Sequence, residues 1–178
     1  MRVITGKYKG KRFDVPHTFK ARPTTDFAKE NIFNVLRAYV DFEECSVIDL
    51  FSGTGSITLE FLSRGCKEVV SVERDRQHYA FISQCLRSLG DPAAHPVCGD
   101  ALRMIERANR SFDIVFADPP YALRELPELP ERVMNSPLVH EGTLFVLEHG
   151  RDNNFSERPD FLEHRVYGSV NFSIFRKG

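Results

Sequence analysis

Several things are scarce in this chain, and each scarcity removes a class of protein. No stretch of its 178 residues approaches a membrane span, and the basic start Met1-Arg2-Val3-Ile4-Thr5-Gly6-Lys7 has no apolar signal-peptide core. A cytoplasmic protein with no membrane role is expected. The four cysteines, Cys45, Cys66, Cys85 and Cys98, include no CxxC pair. That spacing argues against a disulfide framework or a zinc site and for free thiols, so no metal is expected. Repeats and low-complexity linkers are absent, and the length suits one domain with a proper core better than two. Acids are scarce at one end. Up to Arg37 only Asp14, Asp26 and Glu30 face nine basic residues, although the whole chain has a formal net charge of -1. Lys7, Lys9, Lys11 and Arg12 lie in this segment, a basic arm of the kind that phosphate backbones attract. A merely solvated polar face explains the arm about as well.

What is present is an ordinary globule, 42% hydrophobic and 28% charged. Arg2–Thr5 and Lys11–Val15, punctuated by Gly6 and Gly10, read as a β-hairpin or two irregular strands. Pro16 and Pro23 bracket a loop. Thr24 or Thr25 then caps a helix running to about Val40, with apolar residues at Ala28, Ile32, Val35, Leu36 and Tyr39. A strand–helix alternation follows. Strands are expected at Ser46–Phe51, Glu68–Glu73, His95–Cys98, Phe112–Ala117 and Thr143–Glu148. Helices are expected at Ile57–Arg64, Gln77–Leu89, Ala101–Ala108 and late in Leu126–Asn135, where Pro127 and Pro130 confine the last of them. Leu162–Tyr167 and Val170–Phe175, split by Gly168-Ser169, close the chain as an antiparallel hairpin. Such alternation implies an α/β fold with a mostly parallel sheet and right-handed crossovers.

The candidate chemistry sits at strand ends. Asp49-Leu50-Phe51-Ser52-Gly53-Thr54-Gly55 ends the first strand in a glycine loop. Gly53 and Gly55 allow a tight turn and close ligand approach, but Thr58 stands where a dinucleotide fingerprint has its third glycine. Asp49 suits an ammonium group better than a pyrophosphate. Glu73 ends the second strand, where an acid can take both hydroxyls of a ribose. Asp100 follows the third and either caps the next helix or receives an adenine amino group, with Ala101 offering a backbone N–H. The most informative feature is Asp118-Pro119-Pro120-Tyr121 after the fourth strand. It combines an acceptor for an amine, a stiff main chain and a flat ring on which a base can stack. Those parts hold an exocyclic or amide nitrogen for an in-line displacement.

Taken in order, Asp-x-Phe-x-Gly-x-Gly, a strand-end Glu, Gly-Asp-Ala and Asp-Pro-Pro-Tyr resemble a class I S-adenosylmethionine-dependent methyltransferase acting on an exocyclic amine. With Met1–Gly10 and Arg22-Pro23-Thr24-Thr25-Asp26, the chain resembles the RsmD family, bacterial guanine-N2 methyltransferases of 16S ribosomal RNA. The resemblance implies a Rossmann-like seven-stranded, mostly parallel sheet with an antiparallel C-terminal hairpin. It implies a basic extension over residues 1–40 and a methyltransferase domain over 41–178. It places Asp49, Phe51, Ser52, Gly53, Gly55, Glu73, Arg74, Asp100 and Ala101 around S-adenosyl-L-methionine. Asp118, Pro119, Pro120 and Tyr121 would hold the guanine, with Arg22 and Thr24 near the mouth. The partner would be 16S rRNA or a small-subunit ribosomal particle, met by a monomer. One departure is that Phe27-Ala28-Lys29-Glu30-Asn31 follows Asp26 where the family usually carries more basic residues.

Four other readings compete. An adenine-N6 methyltransferase on DNA or RNA suits the same tetrad. A glutamine-N5 protein methyltransferase usually carries Asn where this chain has Asp118. An NAD-dependent oxidoreductase leaves Asp118–Tyr121 unexplained. A non-catalytic RNA-binding module leaves the strand-end acids unexplained.

Overall fold

The centre of the molecule is a strand buried on both faces. In a computed structural model describing residues 1–178, β1 (Ser46–Leu50) is buried at every position, as a parallel strand between two helical layers must be. It pairs in parallel with β2 (Glu68–Glu73) and with β4 (Ile114–Ala117). Beyond these, β3 (Ala94–Cys98) and β5 (Leu144–His149) add parallel outer strands. β7 (Val170–Arg176) runs antiparallel beside β5, and β6 (Phe161–Tyr167) antiparallel beside β7. The order is β3-β2-β1-β4-β5-β7-β6, the expected mixed sheet with its antiparallel hairpin. The order reverses between β1 and β4, so a crevice opens at their carboxyl ends.

Alternation along the strands divides the core into two layers. Val47, Ile114 and Phe116 meet Ile32, Phe33 and Leu36 of α1 (Asp26–Leu36) and Leu59, Phe61 and Leu62 of α2 (Ser56–Ser63). On the other face Ile48, Leu50 and Val115 meet Ile105 of α4 (Ala101–Arg107) and Leu129 and Val133 of α5 (Leu129–Met134). The remaining helix, α3 (Arg76–Leu89), starts at Asp75, whose carboxylate accepts the N–H groups of Gln77 and His78. It ends at Gly90, which takes the left-handed conformation that favours glycine.

Two local features go beyond the sequence. The N-terminal segment is an irregular hairpin: one antiparallel bridge joins Arg2 and Arg12, and the Val3, Gly10 and Phe13 N–H groups donate to the Lys11, Val3 and Met1 carbonyls. Its other donors dock it on α2. Ile4 and Thr5 donate to the Glu60 carboxylate, Lys7 to the Ser63 carbonyl and Tyr8 to the Ser63 hydroxyl. The first helix stops at Leu36, not Val40, and the chain continues through tighter turns closed by Ala38 and Tyr39 N–H groups. Tyr39 is drawn off the helical path to Glu163 of β6, to which its phenol donates a hydrogen bond.

Candidate active site

One cavity of about 610 Å³ lies at the crevice, within the size range of small-molecule sites. Its floor is made by the ends of β1, β2, β4 and β5, and a wall comes from the Lys20–Thr24 loop. Asp49, Phe51, Ser52, Gly53, Glu73, Arg74, Asp100 and Ala101 line it together with Asp118, Pro119, Pro120 and Tyr121, and the Asp49 charge is near enough to help raise the Asp118 carboxyl. Gly55 is the exception among the expected cofactor residues. It is the left-handed start of α2, and a Cβ there would come within 3.1 Å of Ile82, so its role is to let α2 and α3 approach. Phe51 also has positive φ, at 56°, the one non-glycine residue to do so. A bulky residue in that region stores strain of order 1–3 kcal/mol, here at the lip of the cavity.

The acids are held in distinct ways. Asp49 is 1% exposed, and its Oδ2 accepts the Thr58 hydroxyl at 2.7 Å. Thr58, which breaks the dinucleotide fingerprint, is therefore the residue that orients this carboxylate. Burial pushes the Asp49 carboxyl up to about 7, opposed by the Thr58 and Ser52 hydrogen bonds. Glu73 accepts the Gly53 N–H on one oxygen and the Asp75 N–H on the other, each at 2.8 Å. It thus clamps the glycine loop of β1 to the end of β2. Asp100 caps α4 through the Arg103 N–H at 3.1 Å while lining the cavity, so the capping and lining readings both hold. Arg74 is largely exposed at the rim, 4.0 Å from Asp100.

Around the tetrad, strand pairing sets the geometry. Ala117 of β4 pairs with Leu147 of β5, so the next residues, Asp118 and Glu148, are neighbours at the sheet edge. Burial, then the Glu148 carboxylate, hold the Asp118 carboxyl well above the usual carboxylate range. Tyr121 donates its hydroxyl to Glu148 Oε1 at 2.9 Å, and its half-exposed ring lies against Gly150. Glu148 was not among the residues anticipated, although it closes the expected Thr143–Glu148 strand; in the structure it is the last residue but one of β5, as Asp49 is of β1. Lys20 and His78 also line the cavity unanticipated; His78 packs on Phe19 with ring centroids 4.3 Å apart.

The basic arm divides. Arg22 and Thr24 line the cavity. Lys7, Lys9, Lys11 and Arg12 do not. Lys7 pairs with Asp91 at 3.0 Å, and Lys9, Lys11 and Arg12 are exposed. Arg12 shares a smaller polar pocket with Arg2 and Thr24, and Thr24 belongs to both hollows. Lys29, counted by sequence among the arm's charges, is buried against Glu60 at 3.8 Å and bonded to the Arg2 carbonyl and Ser56.

The family model described as Conserved hypothetical protein 95 matches residues 1–176. A Bacillus subtilis (strain 168) protein, YlbH, named provisionally as an rRNA methyltransferase, is 32% identical over 184 residues, spanning 99% of each chain. Ribosomal RNA small subunit methyltransferase D of Escherichia coli (strain K12) is 28% identical over 180 residues, 99% of this chain and 90% of that one. A solved Escherichia coli structure, titled provisionally as the methyltransferase yhhF, has a TM-score of 0.84 at 26% identity. It covers 99% of this chain and 97% of its own.

Proposed function

The chain belongs to the family described as Conserved hypothetical protein 95, and from that premise we propose that it methylates the exocyclic N2 of a guanine in 16S ribosomal RNA, using S-adenosyl-L-methionine. The observation that carries this reading is the single cavity lined by two sets of residues that suit two different ligands. In the first set Asp49 is a buried carboxylate lining the cavity, suited to an ammonium group. Glu73 uses two of about four lone-pair positions on backbone N–H groups, leaving room for ribose hydroxyls. Asp100 and the Ala101 N–H, free of intrahelical partners at the start of α4, suit an adenine edge. The cofactor supplies an electrophilic methyl on a sulfonium sulfur.

In the second set, Asp118 accepts an N–H of the target amine, and Tyr121 gives its ring to the extruded base. Together they aim a poorly nucleophilic nitrogen at the methyl group and keep water from it. Negative charge at Asp118 and Glu148 offsets the positive charge that develops on nitrogen. Residues 1–40 serve as the RNA-contacting extension and 41–178 as the catalytic domain. The two share a core, since Val3, Ile32 and Phe33 pack with Val47 and Phe61. The working form is a cytoplasmic monomer meeting rRNA or a small-subunit particle.

The test is labelled-methyl transfer to 30S particles from a strain lacking the enzyme, followed by digestion to nucleosides. N2-methylguanosine is expected. N6-methyladenosine would move the assignment to the adenine class. Calorimetry in which NAD binds and S-adenosylhomocysteine does not would end the methyltransferase reading.

A further inference from the structure

Glu148 is a cavity acid to which the mechanism above gives a charge but no ligand atom. It is 6% exposed, and its Oε2 receives no hydrogen bond from any N–H or hydroxyl of the chain. A buried carboxylate oxygen left so carries a desolvation cost that a ligand donor would relieve. Its other oxygen is held by the Tyr121 hydroxyl, the residue assigned to stack on the base. Strand register sets it beside Asp118, the residue assigned to the amine. The carboxylate is thus aimed at the edge of a base whose amino group sits at Asp118 and whose face lies on Tyr121.

The edges of the candidate bases differ at that place. Guanine presents its N2 amine beside an N1–H, two donors in a row. Adenine presents its N6 amine beside a bare N1 lone pair. Two adjacent carboxyls, which accept, match the first pattern and repel the second. We propose that Glu148 is the specificity residue of this site, accepting the N1–H of the target guanine while Asp118 accepts from its N2 amine. This rests on the guanine reading given above and deepens it. Burial raises both carboxyls, and the Glu148 charge raises Asp118 further. A carboxyl accepts an amine N–H through its carbonyl oxygen in either protonation state. Sites built to bond a polar substrate group reject analogues lacking it far more strongly than apolar pockets reject a missing methylene.

The probe is 2-aminopurine, which keeps the N2 amine but has a lone pair at N1. Small-subunit particles are reconstituted with 16S rRNA carrying either guanine or 2-aminopurine at the methylated position, and transfer rates are compared. The native enzyme is expected to prefer guanine by at least about 100-fold. Glu148→Gln presents an amide N–H to N1 and should bring that ratio to within about tenfold of unity or invert it, by analogy with other donor-for-acceptor exchanges. Its affinity for S-adenosylhomocysteine should match the native protein's, and its melting temperature should be no lower, since the amide is spared the carboxylate's desolvation cost. The loss of O6 in the probe affects both enzymes alike, so the change in ratio reads Glu148 alone. A ratio unchanged in Glu148→Gln, or a native enzyme that methylates both bases equally, overturns the proposal. If the amide variant does not fold, Glu148→Met, which removes the charge at similar volume, must lower the ratio in the same way. A native enzyme that methylates no guanine at all would instead overturn the function reading beneath it.

Discussion

Asp49 is a carboxylate taken almost wholly out of water and steadied chiefly by the Thr58 hydroxyl. Its value of about 7 has two consequences with definite signs. An arriving ammonium group needs the ionised form. Affinity for S-adenosylhomocysteine should therefore fall as pH drops from about 7 to 5, by roughly tenfold per unit. In stability the raised value acts against the fold. The folded state holds its proton after an unfolded aspartate, near 3.9, has lost it. Stability should therefore decline between about pH 4 and 7, by at most about 4 kcal/mol from this group. Asp49→Asn keeps the Thr58 hydrogen bond and removes that loss. It should raise the melting temperature at pH 8 much more than at pH 4, while weakening cofactor binding. An equal difference at both pH values would rule out this account. Asp118 makes a contrasting case, because it follows β4 in the Asp-Pro-Pro-Tyr tetrad assigned to the target amine, not to the cofactor. Asp118→Ala should lower transfer by at least about 100-fold and leave S-adenosylhomocysteine affinity within about threefold. A large loss of cofactor binding would show that Asp118 is misassigned.

At the scale of elements, Gly6 shows how local reading and tertiary structure part. By sequence it punctuates a hairpin. In the fold it stands at φ 102°, pressed against α2, where a Cβ would sit 2.0 Å from the Ser63 carbonyl oxygen. Gly10, also at positive φ, has nothing within 4 Å of such a Cβ. Gly6→Ala should therefore cost about 3 kcal/mol or more, and Gly10→Ala only about 1–2 kcal/mol from the left-handed backbone. Thermal unfolding of the two variants decides it; equal losses would mean that the approach to α2 does not hold the N-terminal segment. The same contrast explains what the sequence disclosed. β1, β2, β4 and β5 were legible because each is an apolar run closed by a turn signal. The acids at the ends of β1, β2 and β4 were legible because the strand–helix alternation says which end of a strand meets the ligand. The docking of Ile4, Thr5 and Lys7 on α2 was not, since their acceptors Glu60 and Ser63 are more than 50 positions away. Lys29, one of the nine basic residues counted up to Arg37, is 1% exposed. The signal was available, for Lys29 stands three, four and seven positions before Ile32, Phe33 and Leu36 on the buried face of α1. Glu148 was likewise visible as a fifth strand-end acid.

For the whole molecule, the basic arm is smaller than its residue count. Lys29 is buried with Glu60, Arg2 pairs with Asp26, and Lys7 pairs with Asp91. What remains near the N-terminus is Lys9, Lys11 and Arg12, leading past Thr24 to Lys20 and Arg22 at the mouth of the cavity. In the proposed function, that path would join an RNA-facing surface to the site of transfer. Each phosphate contact contributes about 0.7–0.9 to the slope of log affinity against log salt. Reversing Lys9, Lys11 and Arg12 to Glu should therefore flatten the slope for 16S rRNA binding by roughly 2 to 3, with cofactor affinity unchanged because none of the three lines the cavity. Lys7→Glu tests a different point. Its ammonium is already matched by Asp91 at 3.0 Å, so reversal sets two acids side by side and unsettles the turn that Tyr8 also ties to Asp91. The single variant should lose stability and change the slope by less than about 1. If the triple variant keeps the native slope, RNA meets another face of the protein. If Lys7→Glu flattens it as much as the triple does, Lys7 leaves Asp91 for a phosphate when RNA arrives.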